Sequence, residues 1–329
     1  MFHKQILLAA AALSLIAVLN SAAQAKGIRF SLPHGTKGLY VTAPNASGDV
    51  AGIYITAGKF FTHSYGFIRS ADGSFTTIDV KKSFEHNTIV EAIDDNDDIV
   101  GQYEDKDNSG ISHGFVRTRD GRIASFDGAG AYDTLPVDVN ASAGEMVGWY
   151  YTQDGNHGFA GTLDGALTII DVPGGDGGTY PLSVNARGQI AGTYIDSNLV
   201  RHGFLRQPDG SVDTIDPPNS IYTDNVQIND KGLITGIYQD GSSGIYYGFA
   251  RDHGTFYTYD RYFSRLNGRH QSVGQIFLLT FRQGEFNEQP LTIPKGCSNL
   301  FLSGINESSL VSASMQCGKR EWFGYLTEN

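Results

Sequence analysis

The chain is predicted to be all-β, a six-bladed β-propeller of four-stranded blades. Three observations predict it. A tripeptide built around His-Gly-Phe returns at a step of 44 to 48 residues between Gly66 and Gly248. Every copy sits in the same order of short strand-like runs and tight turns, and the two ends of the array are complementary. A period of this length marks a repeat architecture, and no helical period survives outside the N-terminus.

The elements follow in a fixed order. His113-Gly114-Phe115, His157-Gly158-Phe159 and His202-Gly203-Phe204 are clean copies; Tyr65-Gly66-Phe67 and Tyr247-Gly248-Phe249 are variants, and Phe323-Gly324-Tyr325 is degenerate. Upstream lies Asn-x-x-Gly-x-(Ile/Val)-x-Gly-x-Tyr, at Asn45 to Tyr54, Asn185 to Tyr194 and Asn229 to Tyr238. Asp94 to Tyr103 carries Asp for Asn, Asn140 to Tyr150 has one residue inserted, and Asn306 to Met315 is a worn copy. In the unit from Tyr180 to Pro217, Tyr180 to Val184 reads as a strand and Asn185 to Gly188 as a tight turn. Gln189 to Tyr194 and His202 to Arg206 are the second and third strands. Asp209-Gly210 makes a hairpin, Ser211 to Asp216 is the fourth strand, and Pro217-Pro218 stops it. Four strands per period describe a propeller blade.

Counting gives six units. The sixth lacks a fourth strand, and Ile28 to Pro33 has the look of a fourth strand without its first three. Pairing residues 28–33 beside 321–327 closes the ring and hides its edges; an open β-solenoid is the alternative. Residues 264–295 break the symmetry as an insertion before the last blade. Within it, Gln275 to Phe286 reads as two strands about Gln283-Gly284. Residues 1–25 read as a cleaved signal peptide, with Lys4, the apolar run Ile6 to Leu19 and the site Ala23-Gln24-Ala25. That run is short for a membrane span, so residues 26–329 are expected to form one exported domain, secreted or periplasmic. Cys297 and Cys317 are the two cysteines and fall opposite each other about a turn near Glu307-Ser308. Export makes a disulfide between them the expectation. The net charge of −11, with no basic cluster, argues against nucleic acid and anionic membranes.

The blocks Asn185 to Tyr194 and His202 to Arg206, with the Asp-Gly and Ile-Asp-x-Pro that follow, resemble the HAF (His-Ala-Phe) repeat of secreted bacterial proteins. The resemblance covers nearly all of the chain after residue 25. It departs at Gly114, Gly158 and Gly203, where the repeat has Ala. It implies an extracellular or envelope protein of propeller type and carries over no catalytic residue.

Candidate sites are few. One histidine per blade (His113, His157, His202) places these rings around a wide circle, which suits packing better than a shared metal. Asp105, Asp107 and Ser109 match the start of a calcium loop but lack the distal acid, so calcium is the one cofactor to consider. Tyr40, Tyr132, Tyr180 and Tyr222, expected in the loops leading into the first strands, are candidates for stacking on a ligand; inter-blade packing is the plainer role. No nucleophile motif, zinc helix or phosphate loop appears. Two functions remain: a non-catalytic scaffold binding an extracellular ligand, such as carbohydrate or envelope polymer, and a secreted propeller hydrolase or lyase whose acids meet at the channel.

Overall fold

The computed structural model describes residues 28–33, 35–59, 62–81, 83–107, 110–261, 267, 269–273, 277–291, 297–317 and 321–328. The expected signal segment lies outside them. The turn between the first and second strands of each repeat is the most constrained piece of the sequence. Asn185 Oδ1 accepts the N–H of Arg187 and of Gln189, each at 3.0 Å. The residue three after the Asn or Asp, or four after it in the unit of Asn140, is then left-handed. Its φ is 86° at Gly48, 64° at Asp97, 65° at Gly144, 68° at Gly188, 88° at Gly232, 61° at His270 and 67° at Ser309. Glycine adopts this region without steric cost, which is why the motif contains it. A second glycine is fixed by proximity. A Cβ on Gly192 would stand 2.2 Å from the Tyr180 carbonyl oxygen, where the first strand bulges between Pro181 and Ser183.

These turns order the strands into antiparallel meanders. Units 1 to 5 have four strands each. Unit 4, for example, comprises Gly178–Val184, Ile190–Ile195, Arg201–Arg206 and Val212–Thr214. Units 1 to 3 merge into one twelve-stranded sheet through single parallel bridges, Ser64 to Asn87 and Ser112 to Asp133. Units 4 and 5 are separate four-stranded sheets. A three-stranded sheet follows, Gln271–Val273, Phe277–Arg282 and Glu285–Pro290. The last sheet joins Cys297–Ile305, Leu310–Cys317 and Glu321–Glu328 to Ile28–Ser31, which runs antiparallel to the final strand with Phe30 opposite Gly324. The pairing expected between the chain ends is present.

The six-blade count is not. The described strands group into seven meanders, and no single sheet closes on itself. The segment read as an insertion, 264–295, holds the extra unit, with the hairpin about Gln283-Gly284 inside it. Asn267 Oδ1 accepts the N–H of Arg269 and Gln271 at 2.9 Å each, as Asn185 does in its own unit. His270 replaces the turn glycine and no His-Gly-Phe follows, so the period was hidden.

The units are arranged in a propeller-like ring with their cores between them. Phe67, Phe115, Phe159, Phe204 and Phe249 are each 0% exposed and fill successive seams. On the turn side, a side-chain relay runs round the ring. Asn185 Nδ2 donates to the Asn229 carbonyl at 3.2 Å, Asn229 to Asn267 at 2.7 Å, Asn267 to Asn306 at 2.7 Å, and Asn306 back to Asn45 at 2.7 Å. Asn45 donates to the Asp94 carbonyl at 3.1 Å, and Asn140 to that of Val184 at 3.4 Å. Asp94 alone has no amide to offer, and its Oδ2 is buried without a partner. A second repeated bond shows the same sensitivity. Thr88, Thr134 and Thr179 accept from the N–H of Val80, Gly128 and Val172. In unit 5 the matching residue is Pro217, which has no N–H, and the buried Thr223 hydroxyl is left unpaired.

Cys297 and Cys317 face each other in the last sheet and form the expected disulfide, Cα to Cα 3.9 Å. The purified protein, prepared under oxidising conditions, should take up no thiol-alkylating reagent until it is reduced. Alkylation of the unreduced, denatured chain at both cysteines, seen by intact mass, would contradict the bridge.

Candidate functional site

In an antiparallel meander the residues leading into strand one and those leaving strand two lie at the same end. At that rim, opposite the asparagine relay, units 3 to 5 gather aromatic and charged side chains. Trp149 meets Tyr180 edge-on at 5.7 Å between centroids. The Arg201 guanidinium lies 5.2 Å from the Tyr180 ring centre and reaches Asp224 at 3.2 Å. Tyr222 donates its hydroxyl to the other oxygen of Asp224 at 2.7 Å and packs edge-on against Tyr246 at 5.8 Å. Tyr132 packs against Tyr151 at 5.8 Å in unit 3, and both stay exposed, at 47% and 45%.

The electrostatics fix this chain of contacts. Burial, then the hydrogen bond to Asp224, push the Tyr222 hydroxyl up to about 12, so it remains a donor at any physiological pH. Asp224 Oδ1 also accepts the Asn225 N–H at 2.8 Å. Arg201 is held by Asp224 and by the Thr193 hydroxyl at 3.4 Å. The aromatic surfaces are therefore presented by groups with little rotamer freedom left.

The four tyrosines expected together are not all together. Tyr180 and Tyr222 share the Arg201–Asp224 link, and Tyr132 leads into the first strand of unit 3. Tyr40, at the strand position equivalent to Tyr180, lies opposite Ile53 and lines a cavity in the channel wall instead. The loop placement expected for all four holds for Tyr132 alone, since Tyr40, Tyr180 and Tyr222 lie within Thr36–Val41, Gly178–Val184 and Ser220–Ile228. Trp149, Arg201, Asp224 and Tyr246 escaped sequence reasoning. Trp149, Arg201 and Tyr246 sit on second or third strands, which the meander brings to the rim, and Asp224 lies two residues beyond Tyr222 on the same strand.

The histidines are structural partners of the aspartate that ends each unit. His113 Nδ1 lies 2.8 Å from Asp127, His157 Nδ1 2.8 Å from Asp171, and His202 Nδ1 2.6 Å from Asp216. Each ring packs on the tyrosine of the second strand, Tyr103, Tyr150 or Tyr194. Burial opposes a charge on His113, but its bonds to Asp127 and Asp105 outweigh that and raise its pKa. In the calcium-like loop, Asp105 Oδ2 is 3.1 Å from His113 Nε2 and Oδ1 accepts the Asp107 N–H at 2.8 Å. Ser109 lies outside the described residues. Among those described, no three His, Cys, Asp or Glu side chains gather as a metal site would need.

Carboxylates do line the channel at the relay end. A cavity of about 320 Å³ is bordered by Glu91, Asp94, Asp95, Asp138, Asp230 and Glu307. Several are engaged as braces between units: Asp95 accepts the Ala46 N–H, Asp230 that of Ala186, and Asp138 that of Val184. The protein around Glu91 raises its pKa by desolvation, although the residue itself is solvent-exposed.

No protein-family model and no curated protein sequence matches the chain. Solved structures do. A streptogramin B lyase aligns over 92% of this chain and 97% of its own, at 13% identity and a TM-score of 0.56. A polysaccharide lyase aligns over 90% of each chain, at 10% identity and a TM-score of 0.52. A puromycin hydrolase aligns over 87% of this chain, at 13% identity and a TM-score of 0.54, and this chain spans about half of it, 51%. At such identities the likeness concerns the fold alone, and the fold this chain shares with them is a propeller-like ring of β-meanders.

Proposed function

We propose that the protein is an exported, single-domain propeller of the HAF-repeat type that binds an extracellular polymer on the rim of units 3 to 5. The observation that carries this reading is the unbroken contact chain from Trp149 through Tyr180, Arg201, Asp224 and Tyr222 to Tyr246. Tyrosine and tryptophan offer a large apolar face and a polar tip, which suits a partly wet site. A row of such faces across three units fits a ligand whose flat units repeat, and sugar rings are that kind of ligand. The disulfide supports a compartment outside the cytoplasm. Residues 1–25 are read as the export signal on sequence alone. Tyr180→Ala should weaken binding to a bound polysaccharide about tenfold, as loss of an aromatic anchor does at other interfaces, while circular dichroism and melting stay near wild type. Unchanged binding by this variant and by Trp149→Ala would reject the rim as the site.

A second reading is a hydrolase or lyase acting at the channel, favoured by the raised pKa of Glu91 and Asp94 beside one cavity. Release of new chain ends from a polysaccharide panel, abolished by Glu91→Gln, would select it over the scaffold.

A further inference from the structure

We infer that the channel wall between units 7, 1 and 2 holds a second binding site, specific for a small organic cation. A cavity of about 350 Å³ opens there, lined by Tyr40 of unit 1, Glu91 of unit 2 and Phe301 of unit 7. Both aromatic residues stay exposed, Tyr40 at 55% and Phe301 at 51%. Phe301 lies nearly parallel to Trp322, 6.4 Å between centroids and 19° between planes.

Glu91 supplies the charge. Among the described residues no hydrogen bond or ion pair reaches its carboxylate, and no Lys, Arg or His borders this cavity or the neighbouring acidic one. The carboxylates braced between units add negative potential at the adjoining cavity, which Glu91 also borders. Ser314, fully buried, lines the same cavity and has a hydroxyl without a hydrogen-bond partner. Glu91 is solvent-exposed at the cavity, so a cation can reach its unpaired carboxylate directly, and the surrounding negative potential draws one in. Aromatic faces beside it favour an ammonium over a hydrated metal ion, because ring quadrupoles attract a weakly hydrated cation. A metal would need several convergent anionic ligands, and one carboxylate is here.

The site is separate from the rim of units 3 to 5 and does not depend on the function assigned to it. The test is isothermal titration of the full exported protein with choline, propylamine and the uncharged tert-butyl analogue of choline. At least one of the two cations should bind at least about tenfold more tightly than the neutral analogue. Glu91→Gln should lose about tenfold or more of that affinity, and Phe301→Leu, which keeps an apolar side chain but removes the ring, about threefold to tenfold. Both variants should melt within a few degrees of wild type, since Glu91→Gln removes an unpaired charge and Phe301 is half exposed. No binding of either cation up to about 10 mM, about ten times weaker than the roughly millimolar affinity of a weak specific site, would overturn the site. Equal affinity for the neutral analogue, or full affinity in Glu91→Gln, would overturn it as well.

Discussion

Phe204→Ala is expected to destabilise the protein by about 3–5 kcal/mol, the usual cost of emptying a fully buried aromatic position. The ring is 0% exposed and packs with Val147, Ile170, Val172, Val184 and Ile190, which come from units 3 and 4. Its edge rests over Gly192, where a Cβ would be 2.9 Å from Phe204 Cε1, so the glycine and the phenylalanine are one packing device. The backbone beneath cannot collapse into the void, because the same glycine already sits against the bulged first strand. In a ring each unit leans mainly on its neighbours, as in repeat proteins generally. A loosened seam between units 3 and 4 should therefore lower the melting temperature of the whole protein, by about 10 °C at about 2–4 °C per kcal/mol for a chain of this size. Denaturant unfolding gives the free energy directly. A loss under about 1 kcal/mol, below the whole range for such truncations, would mean that the repeated phenylalanines do not hold the seams.

That device explains how much of the fold was legible. The period, the strand order and the pairing of residues 28–31 with the last strand all follow from residues that a single physical constraint forces to recur. Asn185 folds over its own turn, Gly192 lets two backbones touch, and Phe204 fills the seam. Where a constraint has more than one solution the sequence went quiet. The left-handed turn position is glycine in four units but Asp97, His270 and Ser309 in the others. With His270 in the glycine's place, the unit around Asn267 looked like an insertion and the count came out one short. Likewise Gly203 stands where the HAF repeat has Ala. A Cβ there would meet the Ile215 carbonyl oxygen at 2.5 Å and Val226 Cγ2 at 2.7 Å, so this chain's close packing accounts for the departure.

The candidate site was less legible, because function is carried by what differs between repeats. Tyr180 and Tyr222 drew attention as aromatics near the start of first strands. Arg201 and Asp224 did not, since a lone arginine and a lone aspartate on separate units have no signature until the salt bridge between them is seen. Tyr40 and Tyr180 occupy equivalent strand positions, five residues before Asn45 and Asn185. One faces a cavity with Glu91 and the other packs against Trp149 and Arg201. Their neighbours in adjacent units decide the difference, and that information lies tens of residues away in the chain.

Asp94→Asn should make the protein more stable at pH 7, by about 2 kcal/mol, and should flatten its pH dependence between about pH 4 and 7. Asp94 occupies the slot that holds asparagine in the other six units. Its Oδ1 does the turn's work, accepting the N–H of Asn96 at 2.9 Å and of Asp98 at 3.0 Å. Its Oδ2 is buried, unpartnered and unable to donate where the other slots carry an amide. Burial, which outweighs those two backbone bonds, raises the carboxyl from 3.8 to about 6, with the charges of Asp98 and Asp95 adding to it. Asp97 beside it has Arg119 Nε at 3.5 Å. The sign follows from proton binding. The folded state holds the proton more tightly than the unfolded chain, so the stabilisation is complete below the unfolded pKa and is lost as pH rises through about 6. Two units at about 1.4 kcal/mol each give about 3 kcal/mol, and partial hydration at the channel mouth reduces that to about 2 kcal/mol. Asparagine keeps Oδ1 for the turn and supplies the missing N–H, completing the relay without a buried charge. Desolvation also raises the carboxyls of Glu91 and Asp49. Urea unfolding of both proteins at about pH 4.5, 6 and 7.5 separates the effect of Asp94 from those titrations, which are common to the two. A variant that is no more stable at neutral pH, with the wild-type slope intact, would show that the relay gap at Asp94 carries no energetic cost.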